Sequence, residues 1–120
     1  MTTPQRIIDY TNTHKGRLKT LLKGAKASAR NRQQEFNITY DDLLNLWNSQ
    51  GGKCLYTGWT MTTRTKDLTL VSIERKDNSI GYTIDNVVLI CWCVNRAKAT
   101  MSKDEFLQMV QAIAKTYKEL

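Results

Sequence analysis

The chain has 120 residues, 41% hydrophobic and 24% charged, proportions that are ordinary for a globular domain and exclude wholesale disorder. This length supports one small domain and excludes two independent hydrophobic cores. The longest apolar run, residues 87–94, is too short to cross a bilayer. No apolar stretch follows a charged start in residues 1–10, so we expect no secretory signal, no membrane partner and a cytoplasmic location.

The positive charge is concentrated in one segment. Lysine and arginine total 18 against 11 acidic residues, which gives a formal net charge of +7. Seven basic residues and no acidic residue lie between Tyr10 and Gln34, and this basic strip carries the whole excess. A local cationic surface predicts a polyanionic partner, with nucleic acid first, while a solvated helix face is the alternative interpretation. The basic strip consists of Lys15, Arg17, Lys19, Lys23, Lys26, Arg30 and Arg32.

The cysteines do not suggest a disulfide framework or a zinc site. Cys54, Cys91 and Cys93 form an odd set in a chain without a secretion signal. Structural zinc needs four ligands, usually from paired Cys-x-x-Cys motifs, and the positions three residues after Cys54 and Cys91 hold Thr57 and Val94. We therefore predict buried thiols and no structural zinc.

Two helices are predicted in the first half of the chain. The first covers residues 15–32, where an apolar stripe and a cationic face both follow helical spacing. The second begins at Thr39, which can form a capping box with Asp42, and ends at the glycine pair 51–52. Ile38 and Leu43 add a hydrophobic staple to its first turn.

Strands and two further helices are predicted in the second half. Residues 54–61 are expected to form a turn or short hairpin, followed by strands at 68–74 and 87–90 with a turn-rich connection at 76–86. Residues 95–99 are predicted to be helical. A last helix begins at Ser102, with a capping box to Glu105. Its predicted buried stripe is Phe106, Val110, Ile113 and Tyr117. This order of elements predicts an α+β fold.

Oxygen donors fall where these strands and the next helix meet. Glu74 ends the first predicted strand, Asn86 opens the second, and Asn95 follows on a helix. A strand–loop–strand–helix unit can bring a carboxylate and an amide oxygen to one cation. Hard oxygen donors suit Mg²⁺ or Mn²⁺ better than zinc.

Three sequence blocks in order resemble the small phage-type HNH endonucleases of the ββα-metal (His-Me finger) superfamily. They are "FNITYDDLLNLW" at 36–47, "GKCLYTG" at 52–58 and "SIERKDNSIGYTIDNVVLICWCVNRAKATMS" at 72–102. The resemblance implies one nuclease domain over residues 1–120. It would comprise a tail at 1–14, a basic helical lead-in at 15–50, a ββα-metal core at 52–100 and a C-terminal helix at 101–120.

The resemblance also assigns roles to individual residues. Glu74 falls on the metal-binding acidic residue, Asn86 on the asparagine that ties the loop, and Asn95 on the residue that completes the metal site. In the related recombination endonuclease VII type, the zinc ligands would fall on Cys54, Thr57, Cys91 and Val94, two of which cannot bind zinc. The family implies a phage-encoded protein in the host cell.

Arg75 occupies the position of the general-base histidine in this family. A guanidinium has a pKa above about 12 and cannot accept a proton at neutral pH. Arginine can instead bind the scissile phosphate and stabilise charge in the transition state. Asp77 is the nearest alternative base, whereas His14 is distant in sequence from this block.

The predicted function is therefore a DNA endonuclease or nickase that uses one Mg²⁺ or Mn²⁺ ion. Glu74 and Asn95 would hold the metal, with Arg75 and Asp77 as further catalytic residues. Arg96 and Lys98 would join the basic strip in binding duplex or branched DNA. A catalytically weak or inactive HNH-fold binding module is the alternative, and an RNA-binding protein is compatible with the charge but carries no RNA-recognition motif.

Overall fold

The computed structural model describes residues 13–64 and 67–118. The predicted tail at 1–14 lies almost wholly outside these residues, as do the last two residues of the predicted C-terminal helix. The elements run in the order α1 (His14–Arg32), α2 (Tyr40–Gln50), β1 (Val71–Arg75), a 3-10 turn (Ile84–Asn86), β2 (Val87–Cys91), α3 (Trp92–Lys98) and α4 (Lys103–Thr116). The α+β prediction is confirmed. No helix within the described ranges has the length and apolar character needed to span a membrane.

Helix α1 presents an apolar side to the core and its lysines to solvent. Thr13 caps it by accepting a hydrogen bond from the Gly16 amide at 3.1 Å, and Gln33 ends it in a left-handed conformation. Leu18, Ala25 and Ala29 are buried, as expected from the helical spacing. The predicted helix at 15–32 therefore matches the observed one to within one residue.

Helix α2 forms as its sequence predicts. Thr39 and Asp42 make a reciprocal capping box, with hydrogen bonds of 3.2 and 2.9 Å. Gly51 ends the helix at φ 63°, a left-handed conformation that favours glycine. Ile38 and Leu43 are buried at its start.

Strands β1 and β2 form a two-stranded antiparallel sheet at the centre of the core. Every residue of β2 is buried, whereas β1 alternates after its first two residues. The register pairs Glu74 with Val88 and Arg75 with Val87. Strand β1 begins later than predicted, because residues 67–70 form a turn that leaves Leu68 64% exposed.

Helix α3 follows β2 without a loop and starts three residues before the predicted helix at 95–99. This places Asn95 inside the helix instead of at its cap. Helix α3 packs against both strands, so its inward side chains reach the end of β1.

Helix α4 is less buried than its sequence predicts. Its capping box between Ser102 and Glu105 is present, and Phe106 is buried with its ring edge against Tyr56. Val110, Ile113 and Tyr117, however, are 40%, 47% and 60% exposed. The stripe predicted the helix correctly but not its burial, since Phe106 is the one residue of this helix that is buried in the described part of the chain.

The segment after α1 is fastened to the loop between the strands. The Tyr82 amide donates to the Glu35 carbonyl at 2.8 Å, and the Asn37 amide donates to the Tyr82 carbonyl at 3.0 Å. Gly81 lies so close to Glu35 that any side chain would overlap the Glu35 carbonyl oxygen. The end of α1 and the loop after β1 therefore have a fixed relative position.

Candidate active site

A cavity of about 530 Å³ lies where the end of β1, the loop after it, α3 and the end of α1 meet. It collects three of the predicted site residues, Glu74, Arg75 and Asn95, although Asn95 is distant from the other two in sequence. Arg32 reaches the same cavity from the last turn of α1. The lining is completed by Ile73, Asn78, Tyr82, Ala99 and Thr100.

Glu74 is a buried carboxylate, only 4% exposed. Its Oε1 forms an ion pair with Nζ of Lys98 at 2.8 Å, its Oε2 is also buried, and the Tyr56 hydroxyl lies beside the carboxylate as a hydrogen-bond donor. Burial raises the pKa of Tyr56 strongly, and the neighbouring Glu74 carboxylate raises it further, so Tyr56 is a neutral phenol at physiological pH.

Asn95 is oriented by β1. Its side-chain nitrogen donates to the Ser72 hydroxyl at 2.6 Å and to the Ile73 carbonyl at 3.3 Å. These bonds use the donor side of the amide and leave the oxygen as the group that can accept or ligate. An Asn95 oxygen and a Glu74 carboxylate thus line one cavity.

These two groups fit a hard cation that keeps most of its water. Carboxylate and amide oxygens such as those of Glu74 and Asn95 are the donor types that Mg²⁺ and Mn²⁺ take. Within the described ranges no group of three or more His, Cys, Asp or Glu side chains could hold a metal ion. The protein can therefore supply two ligands, and water or a phosphate would have to supply the others.

Arg75 joins the cavity wall to the loop. Its Nη1 donates to the side-chain oxygen of Gln34, to the Asn78 carbonyl at 2.9 Å and to the Ile80 carbonyl at 3.4 Å. The guanidinium carbon lies 5.5 Å from the centre of the Tyr82 ring. Arg75 therefore braces the loop while keeping its charge at the cavity.

Asn86 ties the loop that runs from β1 to β2. Its side-chain oxygen accepts from the Asp77 amide at 2.9 Å. Its nitrogen donates to the carbonyls of Asp77, Ile80 and Gly81 at 3.0, 3.2 and 2.9 Å. A single buried amide thus satisfies four backbone groups, the arrangement that the family resemblance implied for this position.

Asp77 does not line the cavity. Its carboxylate is exposed and accepts hydrogen bonds from the hydroxyl and amide of Ser79 at 2.6 and 2.9 Å. These bonds hold the pKa of Asp77 below its ordinary value, which makes it a weaker proton acceptor. The structure places it in a turn beside the site.

The basic strip is exposed along most of α1, with one exception. Lys19, Lys23, Lys26 and Arg30 face solvent, and Lys19 also lies over the Tyr40 ring. Arg17 instead turns inward, where burial lowers its pKa and its guanidinium donates to the Val71 carbonyl at 3.5 Å. Arg17 is therefore removed from the predicted DNA-contacting face, because its guanidinium is partly buried against β1.

Lys98 also differs from its predicted role. The sequence predicts that it binds nucleic acid beside Arg96, but it is 2% exposed and paired with Glu74. An ammonium buried in an ion pair cannot contact a phosphate backbone. Arg96 is exposed, with its guanidinium 5.1 Å from the centre of the Trp92 ring, as a surface contact would require.

The cysteines form a corner away from the cavity. The Cys91 amide donates to Sγ of Cys54 at 3.3 Å, and both thiols are buried and free. Burial and the adjacent Cys54 raise the pKa of Cys91 to about 12, so it remains a thiol. His14 lies on another side, stacked on Trp47 with the ring centres 5.3 Å apart, and does not line the cavity.

Sequence reasoning missed several groups at the site. Tyr56 and Gln34 come from segments far from the motif and reach Glu74 and Arg75 only through the tertiary fold. For Lys98 the sequence did contain a signal, because Lys98 follows Asn95 by three residues and two residues at that spacing share a helix face. Its burial depended on how α3 packs on β1, which no local pattern encodes.

Comparisons with known proteins support the fold. No protein-family model matches the chain. The chain is 26% identical over 98 residues to an uncharacterized 29.0 kDa protein from the dda-modA intergenic region of Enterobacteria phage T4. That match covers 82% of this chain but 38% of the relative, so the chain spans about two-fifths of its length.

A solved structure has the same fold as this chain. The rare-cutting HNH restriction endonuclease PacI aligns with a TM-score of 0.62 and 20% sequence identity, covering 84% of this chain and 79% of its own. The chain therefore has the fold of an HNH restriction endonuclease.

Proposed function

We propose that the protein is a divalent-metal-dependent DNA endonuclease or nickase that hydrolyses phosphodiester bonds. The observation that carries this proposal is the cavity itself, which combines a buried carboxylate, an oriented amide and two arginines. PacI, which shares the fold, is a DNA-cutting enzyme by its description as a restriction endonuclease. The phage relative fits a phage-encoded protein acting in the host cytoplasm.

Glu74 and Asn95 are the proposed ligands of one Mg²⁺ or Mn²⁺ ion. When bound, such an ion supplies Lewis-acid stabilisation of the phosphate and the leaving oxygen. The Ser72 hydroxyl and the Ile73 carbonyl hold Asn95 in position for this role. Glu74 carries the only carboxylate among the residues lining the cavity.

Two arginines are proposed to face the phosphate. Arg32 lies at the junction of the basic strip and the cavity, so one phosphodiester backbone could follow α1 and enter the site there. Arg75 contributes positive charge at the wall while its Nη1 braces the loop. Charge stabilisation by preorganised donors is the contribution that such groups make to phosphoryl transfer.

The proton acceptor for the attacking water is proposed to be Asp77 or bulk solvent. Asp77 would have to act through intervening water, because its carboxylate is bound to Ser79 outside the cavity. A positioned general base contributes about 10²–10⁴-fold. We therefore expect slower hydrolysis than an enzyme with a histidine at position 75. Asp77→Asn would reduce the rate only if Asp77 has this role.

An HNH-fold DNA-binding module without catalysis is the second candidate. The observation that favours it is the Lys98–Glu74 ion pair, which already neutralises the proposed metal-binding carboxylate. No histidine reaches the cavity. In this module the basic strip would bind the DNA backbone, as proposed for the enzyme.

Supercoiled plasmid separates the two candidates. We expect nicked or linear product with Mg²⁺ or Mn²⁺, none with EDTA, and ends carrying 5′ phosphate and 3′ hydroxyl. Glu74→Gln and Asn95→Ala should abolish cleavage while DNA affinity persists, and Asn45→Ala on the exposed face of α2 is the matched control. Equal activity in EDTA, or full activity in both variants, would refute the site. Tight binding without cleavage in any metal would favour the binding module.

A relation to the recombination endonuclease VII type is also proposed, on the Cys54–Cys91 corner. Cys54, Thr57 and Cys91 meet there through hydrogen bonds. The predicted DNA partner is duplex or branched, and a four-way junction and a matched linear duplex, offered in competition, would show which of the two is cleaved.

A further inference from the structure

Lys98 is among the most deeply buried side chains in the described part of the protein, at 2% exposure. A buried ammonium is strongly unfavourable unless a countercharge compensates it, and the same holds for a buried carboxylate. Lys98 and Glu74 meet this need for one another at 2.8 Å. Each side chain is therefore tolerated inside the protein because the other is present.

The ion pair is asymmetric. Lys98 contacts Oε1 of Glu74 as its countercharge, whereas the neutral Tyr56 hydroxyl beside the carboxylate adds no charge. Glu74 lines the cavity and Lys98 does not. Lys98 thus pairs with the carboxylate from inside the protein, while Glu74 itself lines the cavity.

We propose that Lys98 is a built-in countercharge that positions Glu74 and lowers its affinity for a divalent cation. The inference rests on the proposed metal site at Glu74. Without metal, the ammonium keeps the carboxylate buried and compensated. A second cation on the same carboxylate would lie a few ångströms from the ammonium, and like charges at that separation repel strongly in a protein interior.

This arrangement makes metal occupancy depend on a third charge. A phosphate entering the cavity brings negative charge beside both cations and offsets their repulsion. We therefore expect the metal to bind weakly to the protein alone and more tightly when DNA is present. Lys98 acts through Glu74 and is a positioning residue, with no contact to substrate.

Lys98→Met tests the proposal on the DNA-free protein. Methionine fills similar volume without charge, so Glu74 loses its countercharge. We expect a lower melting temperature without metal, at least about tenfold tighter Mn²⁺ binding by calorimetry, and a larger rise in melting temperature with Mn²⁺ than in the parent. Lys103→Met, at an exposed lysine of α4, is the matched control and should behave as the parent does.

A second variant distinguishes loss of the countercharge from misfolding. Glu74→Gln combined with Lys98→Met removes both charges, so it should melt closer to the parent than Lys98→Met does and should bind no Mn²⁺. Parent-like Mn²⁺ affinity in Lys98→Met would overturn the proposal. A Lys98→Met protein that stays unfolded at millimolar Mn²⁺ while the double variant folds would overturn it as well.

The failure of the underlying function has a different signature. If Mn²⁺ bound equally to the parent and to Glu74→Gln, the metal site itself would be misplaced. In that case Lys98 would remain a structural partner of Glu74. Tighter Mn²⁺ binding in Lys98→Met that disappears in the double variant would support both statements together.

Discussion

Arg75 combines a structural contact with a charge at the cavity. Its Nη1 donates to three oxygens, two of them backbone carbonyls of the loop after β1. A histidine at this position could not span the same set, because imidazole offers at most two donors on one ring. The departure from the HNH motif is thus accompanied by a different way of holding the loop.

Arg75→Ala should remove both contributions. We expect nearly complete loss of cleavage and a stability loss of about 1.5 kcal/mol because the charged hydrogen bonds are removed, with Arg75→Lys retaining part of the activity. Plasmid cleavage and chemical denaturation measure the two effects. Gln34→Ala is the control, since it removes one bracing partner and leaves the guanidinium. Cleavage by Arg75→Ala at the parent rate would contradict any catalytic part for Arg75.

Helix α1 carries the basic strip, which accounts for the net positive charge of the chain. Its apolar side is buried at Leu18, Ala25 and Ala29, so the face that carries the lysines is directed to solvent. A rigid helix presenting cations at regular intervals suits the regular phosphates of a duplex backbone.

Replacing Lys19, Lys23 and Lys26 by glutamine should weaken binding to all DNA sequences. The slope of log affinity against log salt should fall by about 0.9 for each DNA phosphate that the variant no longer neutralises. Fluorescence anisotropy over a salt series gives the slope. The matched control replaces Lys103, Lys115 and Lys118 at the C-terminal end of the chain, an equal change of charge on another surface. An equal fall in both triple variants would show that net charge, and not the α1 face, determines binding.

Helix α4 offers a different test, because most of it extends beyond the core. Ile113→Ser should change the free energy of unfolding by no more than about 0.5 kcal/mol, as expected for an exposed site. Phe106→Ala, one end of the same stripe, should cost about 3–5 kcal/mol because that ring is buried. Urea denaturation measures both. A large loss in Ile113→Ser would mean that this face is covered in solution.

The elements show what a single sequence can predict. Capping residues fixed the starts of α2 and α4, since Thr39–Asp42 and Ser102–Glu105 are local interactions. The proposed metal ligands followed from a family motif. The burial of Lys98 and the exposure of Ile113 were not predictable, because both depend on which surfaces meet in three dimensions. Periodicity indicates an amphipathic helix, but it does not supply the surface that covers it.

The polar cavity and a pair of buried thiols lie at opposite ends of the two-stranded sheet. The cavity lies at the end of β1, while Cys54 and Cys91 lie where the opposite end of the sheet meets the 52–61 segment. Val94, one helical turn after Cys91, belongs to the same buried cluster. The four zinc-ligand positions of the endonuclease VII type correspond to residues 54, 57, 91 and 94. In this chain only Cys54 and Cys91 carry a thiol.

Thr57→Cys combined with Val94→Cys should create a four-thiolate zinc site at this corner. Zinc binding would stabilise the folded state, so we expect a melting temperature that rises with added Zn²⁺ and falls again with a chelator. Thr57→Cys alone is the control, because three thiols leave the tetrahedral set incomplete. Absence of any Zn²⁺ effect in the double variant would show that the four side chains do not converge.

The hydrogen bonds that join the segment after α1 to the loop have a thermodynamic consequence. Glu35 and Asn37 bond to Tyr82, while Gln34 bonds to Arg75 and to the Asn78 carbonyl, so the helix and the cavity wall form one frame. Because this frame is already fixed before any ligand binds, a polyanion that contacts the helix and the cavity together would meet its binding groups without ordering them first, and so at a lower entropy cost.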